Sequence, residues 1–482
     1  MEQLTDIEKT VAQSFPLELS GDQMRQMVDA AMQRIITHID TLAVQASADT
    51  DGAKELALSL VESMPERGKP LEELLDLLFD RVIPKSFNTA APGYLAYIPG
   101  GGVPHAAVAD LIANAVNRYV GVFVAAPGLA QLEANVIRWF CEMVGFGKGS
   151  AGFLTSGGSL ANFSAVVTAR RELLPENFLA GTIYASDQTH HSVMKAAVLA
   201  GFPEGNVRMI QSDDLFRIRT DVLEQHIVED RARGKVPFLV VGSAGTTNTG
   251  AVDDLTELAD VAERHRMWFH VDAAYGGFFM LTRRGHERLR GIDRADSVTL
   301  DPHKGLFLPY GSGSLLVRDG DALRRAHQIQ ADYLPRMQED EQLVDFCQIS
   351  PELSRPFRGL AVWLPIKMQG IEPFRANLDE KLDLTEWATE ELRQIEGIEI
   401  AAEPQLSIVA FRLERPGAVR DDLNRLNRKF IDRINAKKRI YVTGTVLGGL
   451  FTIRICVLSF RTHIDRMREG LEDIRTAVAE TF

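Results

Sequence analysis

Ser297-Val298-Thr299-Leu300-Asp301-Pro302-His303-Lys304-Gly305-Leu306 carries an apolar run into a proline, a histidine and a lysine. Pro302 ends the strand that precedes it, because proline cannot donate to a β ladder. Removal from water disfavours the charged form of a lysine that titrates at about 10.4 in solution, so Lys304 is expected to be held as a neutral amine or an imine. That is the state in which lysine acts as a nucleophile on carbonyl compounds. A lysine that merely ends a strand and reaches solvent reads the same in isolation, since buried lysines are rare.

Upstream, Trp268-Phe269-His270-Val271-Asp272-Ala273-Ala274-Tyr275-Gly276-Gly277 is an apolar strand that delivers an aspartate and then small residues. A carboxylate at the end of a buried strand needs a cationic or hydrogen-bonding partner, and a pyridinium nitrogen would serve. Ala273, Ala274 and the glycines leave room for a flat ring against the backbone; a helix-capping aspartate is the alternative. Phe153-Leu154-Thr155-Ser156-Gly157-Gly158-Ser159-Leu160-Ala161-Asn162 runs a Ser/Gly-rich turn into a helical pattern that continues to about Arg171. The first N–H groups of such a helix can bind an anion, although Ser159 could be only an N-cap. In Tyr184-Ala185-Ser186-Asp187-Gln188-Thr189-His190-His191-Ser192-Val193 a strand breaks into two histidines, one of which could stack on a bound ring or simply be a hydrogen-bonded loop residue.

In chain order these segments supply an anion cradle, a stacking histidine, an aspartate for a ring nitrogen and an imine-forming lysine, each at a strand end in an alternating β/α pattern. Such a set of groups suits pyridoxal 5'-phosphate. The chain also resembles the pyridoxal-phosphate-dependent group II amino-acid decarboxylases, which include the aromatic-L-amino-acid, glutamate and histidine decarboxylases. The resemblance runs from about Pro92 to the C-terminus and more loosely through the N-terminal arm. Asp301-Pro302-His303-Lys304 is similar to the family's lysine signature, usually Asn-Pro-His-Lys, and His270-Val271-Asp272-Ala273-Ala274 to its pyridine-binding signature.

The resemblance implies roles position by position. Gly158 and Ser159 fall where the family binds the cofactor phosphate, with His303 assisting. His190, rather than His191, falls on the ring-stacking histidine, and Ala274 lies beside the ring-facing Asp272. Thr247, in Gly245-Thr246-Thr247-Asn248-Thr249-Gly250, resembles a residue that touches the cofactor. Tyr333, in Ala331-Asp332-Tyr333-Leu334-Pro335, falls on a catalytic tyrosine carried by a mobile lid from about Gln328 to Phe346. The implied chemistry is loss of carbon dioxide from an L-amino acid, with Asp272 keeping the ring nitrogen protonated, His190 holding the ring plane, Tyr333 protonating the α-carbon and Lys304 expelling the amine.

Length and composition are consistent with an enzyme of this kind. Of 482 residues, 45% are hydrophobic and 25% charged, ordinary for a globular protein. The net charge of −13 argues against a nucleic-acid or acidic-membrane partner and says nothing of the substrate. Cys141, Cys347 and Cys456 are too few and scattered for a disulfide framework or a four-cysteine metal site, so no metal is expected and a reducing cytoplasm is the natural compartment. Met1-Glu2-Gln3-Leu4-Thr5-Asp6 begins no apolar signal segment, and no run approaches about 18 apolar residues, so neither export nor membrane association is expected.

Three regions are expected. Residues 1–91 form an N-terminal arm, helical from about Leu17 to Arg81, with Met24, Met27, Val28, Ala31 and Ile35 spaced three or four apart. The resemblance implies that it packs on a second subunit, giving a homodimer with the active site at or near the interface. Residues 92–373 form the large cofactor-binding domain, with strands that include Thr182–Ala185, Phe238–Gly242, Trp268–Val271, Ser297–Leu300 and Ser314–Val317. Residues 374–482 form a small α/β domain with strands at Ser407–Leu413, Ile440–Thr443 and Phe451–Val457, and a capping box at Thr462-His463-Ile464-Asp465. The implied class is α/β, fold type I pyridoxal-phosphate-dependent transferase-like, with a mostly parallel seven-stranded sheet covered by helices on both faces.

For the substrate, the family's aromatic members carry Tyr-Phe-Pro-Thr near the side-chain pocket and an aromatic residue from the neighbouring subunit. Here the corresponding residues are Tyr97, Ile98, Pro99 and Gly100, with Tyr119 and Gly121 facing across the dimer. Glycine at 100 and 121 suggests a roomier pocket, and Tyr97 and Tyr119 can stack on a ring, which favours an aromatic substrate. An acidic substrate would want a cation, for which Arg118, Arg355 and Arg358 are candidates; the last two lie in a Ser-Arg-Pro-Phe-Arg run that the family shares. An oxygen-consuming aldehyde synthase is disfavoured by Tyr333, and a lyase for phosphorylated amino alcohols by the lack of an anchor. A non-catalytic cofactor-binding scaffold would leave Tyr333 without purpose.

Overall fold

A computed structural model describes residues 17–328 and 343–481, in two compact units, Met1–Ala91 and Pro92–Phe482. In the first, helix Gly21–Thr41 opens with a capping box: Ser20 Oγ accepts from Gln23 N at 3.2 Å, and Gln23 Oε1 accepts from Ser20 N at 2.8 Å. The helical pattern is interrupted rather than continuous. Short helices follow at Ala53–Ser59 and Leu71–Asp76, the second running into a π-helical turn at Leu77–Val82. Gly52, at φ +73°, and the Pro65, Gly68 and Pro70 segment supply the breaks.

The second unit contains a seven-stranded sheet formed by β1 (Ala151–Thr155), β2 (Gly181–Ser186), β3 (Val207–Ile210), β4 (Val236–Ser243), β5 (Trp268–Asp272), β6 (Ser297–Leu300) and β7 (Gly313–Val317). Their order is β1-β7-β6-β5-β4-β2-β3; β7 runs antiparallel to both neighbours and the remaining pairs are parallel. Side chains alternate between two helical layers: Val240 and Leu316 pack into one, Leu239, Val241, Leu315 and Val317 into the other. Burial on both faces explains why these strands read as continuous apolar runs.

A second sheet, antiparallel in the order β10-β11-β9-β8, comprises β8 (Ile398–Ala402), β9 (Ile408–Leu413), β10 (Thr443–Leu447) and β11 (Leu450–Cys456). Phe411 and Ile455 share its core with Phe430 from helix Arg420–Ala436 and with Leu471 and Ile474 from helix Ile464–Ala479. The ladder begins at Thr443 rather than at Ile440. Tyr441 is taken by a bridge to Tyr94, with Leu95 N donating to Tyr441 O and Tyr441 N to Gly93 O, each at 2.9 Å. The anticipated capping box is also absent. His463, not Thr462, occupies the N-cap and makes no side-chain bond there, while the Thr462 hydroxyl turns to donate to Pro92 O at 2.7 Å.

Candidate active site

Parallel strands bring their C-terminal ends to one edge of the sheet, where the loops after them can meet over a ligand. Asp272 is the last residue of β5, His190 lies four residues beyond β2, Thr247 four beyond β4 and Lys304 four beyond β6. Together with Gly158, Ser159, Ala274 and His303, all of them line a single cavity of about 310 Å³. Tyr333 and the lid sequence around it lie outside the described residues.

Helix Gly158–Leu173 follows β1 and has no side-chain cap. A methyl on Gly158 would meet Asp301 Oδ2 at 3.1 Å and the Ala274 side chain at 3.2 Å, so a side chain there would crowd both neighbours. Gly245, at φ +100°, begins the turn that carries Thr247; a side chain there would meet the Tyr275 ring at 2.5 Å.

Asp301 is buried and changes the expectation for Lys304. Its Oδ2 lies 2.9 Å from Lys304 Nζ and 3.6 Å from His303 Nε2, while Oδ1 is buried with no hydrogen-bond partner. Burial pulls the Lys304 ammonium down, but Asp301, aided by Asp272, outweighs it and holds the group above the ordinary lysine value. In this state Lys304 is therefore an ammonium in an ion pair and not the neutral amine anticipated from its apolar surroundings. His303 donates from Nδ1 to Ser312 O at 2.5 Å, and burial lowers its pKa against the opposing pull of Asp301.

Asp272 accepts from Asn162 Nδ2 at 2.8 Å and from Ala274 N at 3.2 Å. Burial lowers the pKa of His190, with Asp272 opposing, and its ring lies 4.2 Å from that of His191. Asn162, Ser192 and the Asp301 ion pair were not singled out from sequence. The spacing of Asn162 from Gly158, one helical turn, and the aspartate in place of the usual asparagine at 301 were the available signals.

None of Tyr97, Ile98, Pro99, Gly100, Tyr119 and Gly121 lines this cavity; Tyr97 and Tyr119 are exposed, at 52% and 38%. The two glycines do not signify room. A methyl on Gly100 would fall on the His303 carbonyl oxygen, and one on Gly121 would come within 2.6 Å of Leu353 O, so backbone crowding demands both. Tyr119 OH also donates to Leu353 O, at 3.0 Å. Arg355 is fully buried against Glu133 at 2.5 Å, and Arg358 grips Glu352 at 2.7 and 2.9 Å, so both are committed to structural pairs. Arg118 is exposed.

Residues 54–414 match the family described as the pyridoxal-dependent decarboxylase conserved domain. The aromatic-L-amino-acid decarboxylase of Bacillus atrophaeus is 35% identical over 466 residues, covering 96% of this chain and 97% of that protein. The cysteine sulfinic acid decarboxylase of Mus musculus is 32% identical, covering 83% and 84%. Among solved structures, Oryza sativa TDC with PLP and tryptamine superposes with a TM-score of 0.92 at 26% identity, covering 97% of this chain and 99% of that one. The fold and cavity define a fold type I, pyridoxal-phosphate-dependent enzyme, a carboxy-lyase. This chain belongs to the pyridoxal-dependent decarboxylase family, and its cofactor is pyridoxal 5'-phosphate.

The residues fit that cofactor on grounds internal to the structure. A buried carboxylate, Asp272, and a lysine meet in one cavity whose glycine-lined wall a side chain would fill, and a buried Asp301 oxygen lacks a partner.

Proposed function

We propose that this chain decarboxylates an aromatic L-amino acid to its amine, with Lys304, Asp272, His190 and Tyr333 as the catalytic residues. The observation that carries this reading is the meeting of Lys304, Asp272 and His190 beside the uncapped head of helix Gly158–Leu173. When bound, the cofactor supplies an electron sink for the pair left behind as carbon dioxide departs.

Gly158 and Ser159 hold the phosphate through backbone N–H groups, with His303 beside them, and Thr247 and Ala274 bound the ring. The Asp272 carboxylate keeps a proton on the ring nitrogen, and His190 fixes the plane of the ring. Lys304 would hold the cofactor when it is bound, and its amino group is the one placed to release the amine product. Asp301 receives the Lys304 ammonium whenever that side chain is free. Tyr333 delivers the proton to the α-carbon.

Two observations support an aromatic substrate. The relatives named above include an aromatic-L-amino-acid decarboxylase and a structure holding tryptamine. Arg355 and Arg358 are already paired. The side-chain pocket is then assigned to Tyr97, Ile98, Pro99, Gly100, Tyr119 and Gly121, supplied at or near the interface of a homodimer.

Helix Gly21–Thr41 supports the dimer, since none of its residues is buried and Met24, Met27, Ile35, Ile36 and Ile39 remain exposed. The three-region division at 91/92 and 373/374 is retained as part of this reading. Among the described residues no helix is long and apolar enough to cross a membrane, and all three cysteines are free, which suits a reducing cytoplasm.

Incubating the enzyme and cofactor with the twenty amino acids, followed by mass spectrometry, tests the reading. One arylalkylamine formed with equimolar carbon dioxide is expected. An aldehyde with hydrogen peroxide, or an amine from an acidic amino acid, would overturn it.

A further inference from the structure

We infer that Asn162 is a positioning residue: its one amide fixes the Asp272 carboxylate directly and, through the Ser192 hydroxyl, the protonation pattern of the His190 ring. Asn162 and Ser192 are buried, at 1% and 2% exposure, and each meets its partners at ordinary hydrogen-bond distance.

The direction of every bond follows from which atoms can donate. An ionised carboxylate only accepts, so the atom of Asn162 that lies 2.8 Å from Asp272 Oδ2 is the amide nitrogen. The second N–H on that nitrogen reaches Ser192 Oγ at 2.9 Å. Asn162 Oδ1 therefore accepts, and Thr299 Oγ1 at 2.7 Å and His270 Nε2 at 3.1 Å donate to it. The Ser192 hydroxyl, whose oxygen receives from Asn162, keeps its proton and donates it in a hydrogen bond to His190 Nδ1, 2.8 Å away. The backbone N–H of Ser192 points at the same Nδ1 from 3.3 Å, a longer and weaker contact of the same polarity, so the hydroxyl is the main donor there. Nδ1 of His190 is thus an acceptor, and the ring proton resides on Nε2.

The far end of the network has the same polarity. Trp268 Nε1 donates to Ser297 Oγ at 2.8 Å, and Ser297 Oγ lies 2.8 Å from His270 Nδ1. Burial pushes His270 down to about 4 against the pull of Asp272, which leaves the ring neutral, and because Asn162 Oδ1 can only accept, the proton of that ring is on Nε2. Leucine at 162 would keep the branched outline, though somewhat larger, and supply no donor. Aspartate would bring a second acceptor against Asp272.

The consequence for the cofactor rests on the reading above, but the tautomer does not, so it is measured in the full-length apoprotein. With histidine labelled by nitrogen-15, and His190 assigned by its loss in His190→Gln, the parent should show Nε2 protonated and Nδ1 bare. Ser192→Ala and Asn162→Leu should move His190 toward a mixture of both tautomers and weaken pyridoxal 5'-phosphate binding on the order of tenfold, as expected when a supporting hydrogen bond to a ligand group is lost. Ser192→Thr, which keeps the hydroxyl, should restore both. A folded Ser192→Ala apoprotein that keeps the single Nε2–H tautomer overturns the relay, and it does so even if Asn162→Leu fails to fold. A parent that shows the tautomer yet binds no pyridoxal 5'-phosphate would instead sink the cofactor reading.

Discussion

Replacing Asp301 by asparagine removes the carboxylate 2.9 Å from Lys304 Nζ and installs the residue that the family's signature usually carries. Two unit charges at that separation attract by roughly 6 kcal/mol at an effective dielectric of about 20. Desolvation of the lysine, whose side chain stays 24% exposed, returns much of that. The net loss should be on the order of 1.5–3 kcal/mol, the range of a hydrogen bond between charged groups. At about 1.4 kcal/mol per decade this is a ten- to hundredfold larger fraction of Lys304 as free amine at a fixed pH. The assay is reductive methylation of the apoprotein at pH 8, followed by peptide mass spectrometry of the Lys304 segment. The variant should react ten- to hundredfold faster there, with surface lysines unchanged as internal controls. Because the folded-state pKa of Lys304 is raised, the pair adds stability that is complete below the ordinary lysine value and lost as pH rises through the folded-state value. The stability gap between parent and variant should accordingly be widest near neutrality and shrink in strongly alkaline solution. Equal labelling rates across the pH range would refute the argument that Asp301 holds Lys304 charged.

Tyr333→Phe is expected to keep carbon dioxide release while diverting product to an aldehyde; amine at the parental rate would remove Tyr333 from the role of proton donor. Gly100→Ala should destabilise the protein by about 1–3 kcal/mol, as overpacking against a carbonyl does, and weaken cofactor binding. Wild-type melting and affinity would return Gly100 to the status of a mere pocket lining. His270, depressed from 6.5 to about 4, should contribute stability that is present above pH 6.5 and is lost as pH falls toward 4, on the order of 3 kcal/mol in all. Urea midpoints measured across that range should show the loss in the parent and a smaller one in His270→Gln.

Much of the architecture could be read from local pattern, because the parallel strands are buried on both faces and so appear as uninterrupted apolar runs: β6 spans Ser297–Leu300 as anticipated, and β2, β4, β5 and β7 differ by a residue or two. The misreadings arise where a distant partner intervened. Ile440–Val442 has the composition of a strand, yet Tyr441 spends its backbone groups on Gly93 and Leu95. Thr462 has the spacing of a helix cap, yet its hydroxyl is taken by Pro92 O. The interrupted arm shows that apolar spacing persisted across breaks imposed by glycine and proline.

The sequence by itself determined the chemistry. Residue types at strand ends, a lysine after a proline stop, an aspartate before small residues and glycines at a helix head are local features, and they specify which reactive groups exist and in what order. Only the tertiary structure decided how those groups are charged and oriented. Asp301 holds Lys304 charged, Asn162 and Ser192 join Asp272 to His190, and Gly100 lies against the His303 carbonyl. The reason is distance: charge state and hydrogen-bond direction depend on atoms brought within about 3 Å by folding, across separations such as the 110 residues between Asn162 and Asp272, which no local pattern records.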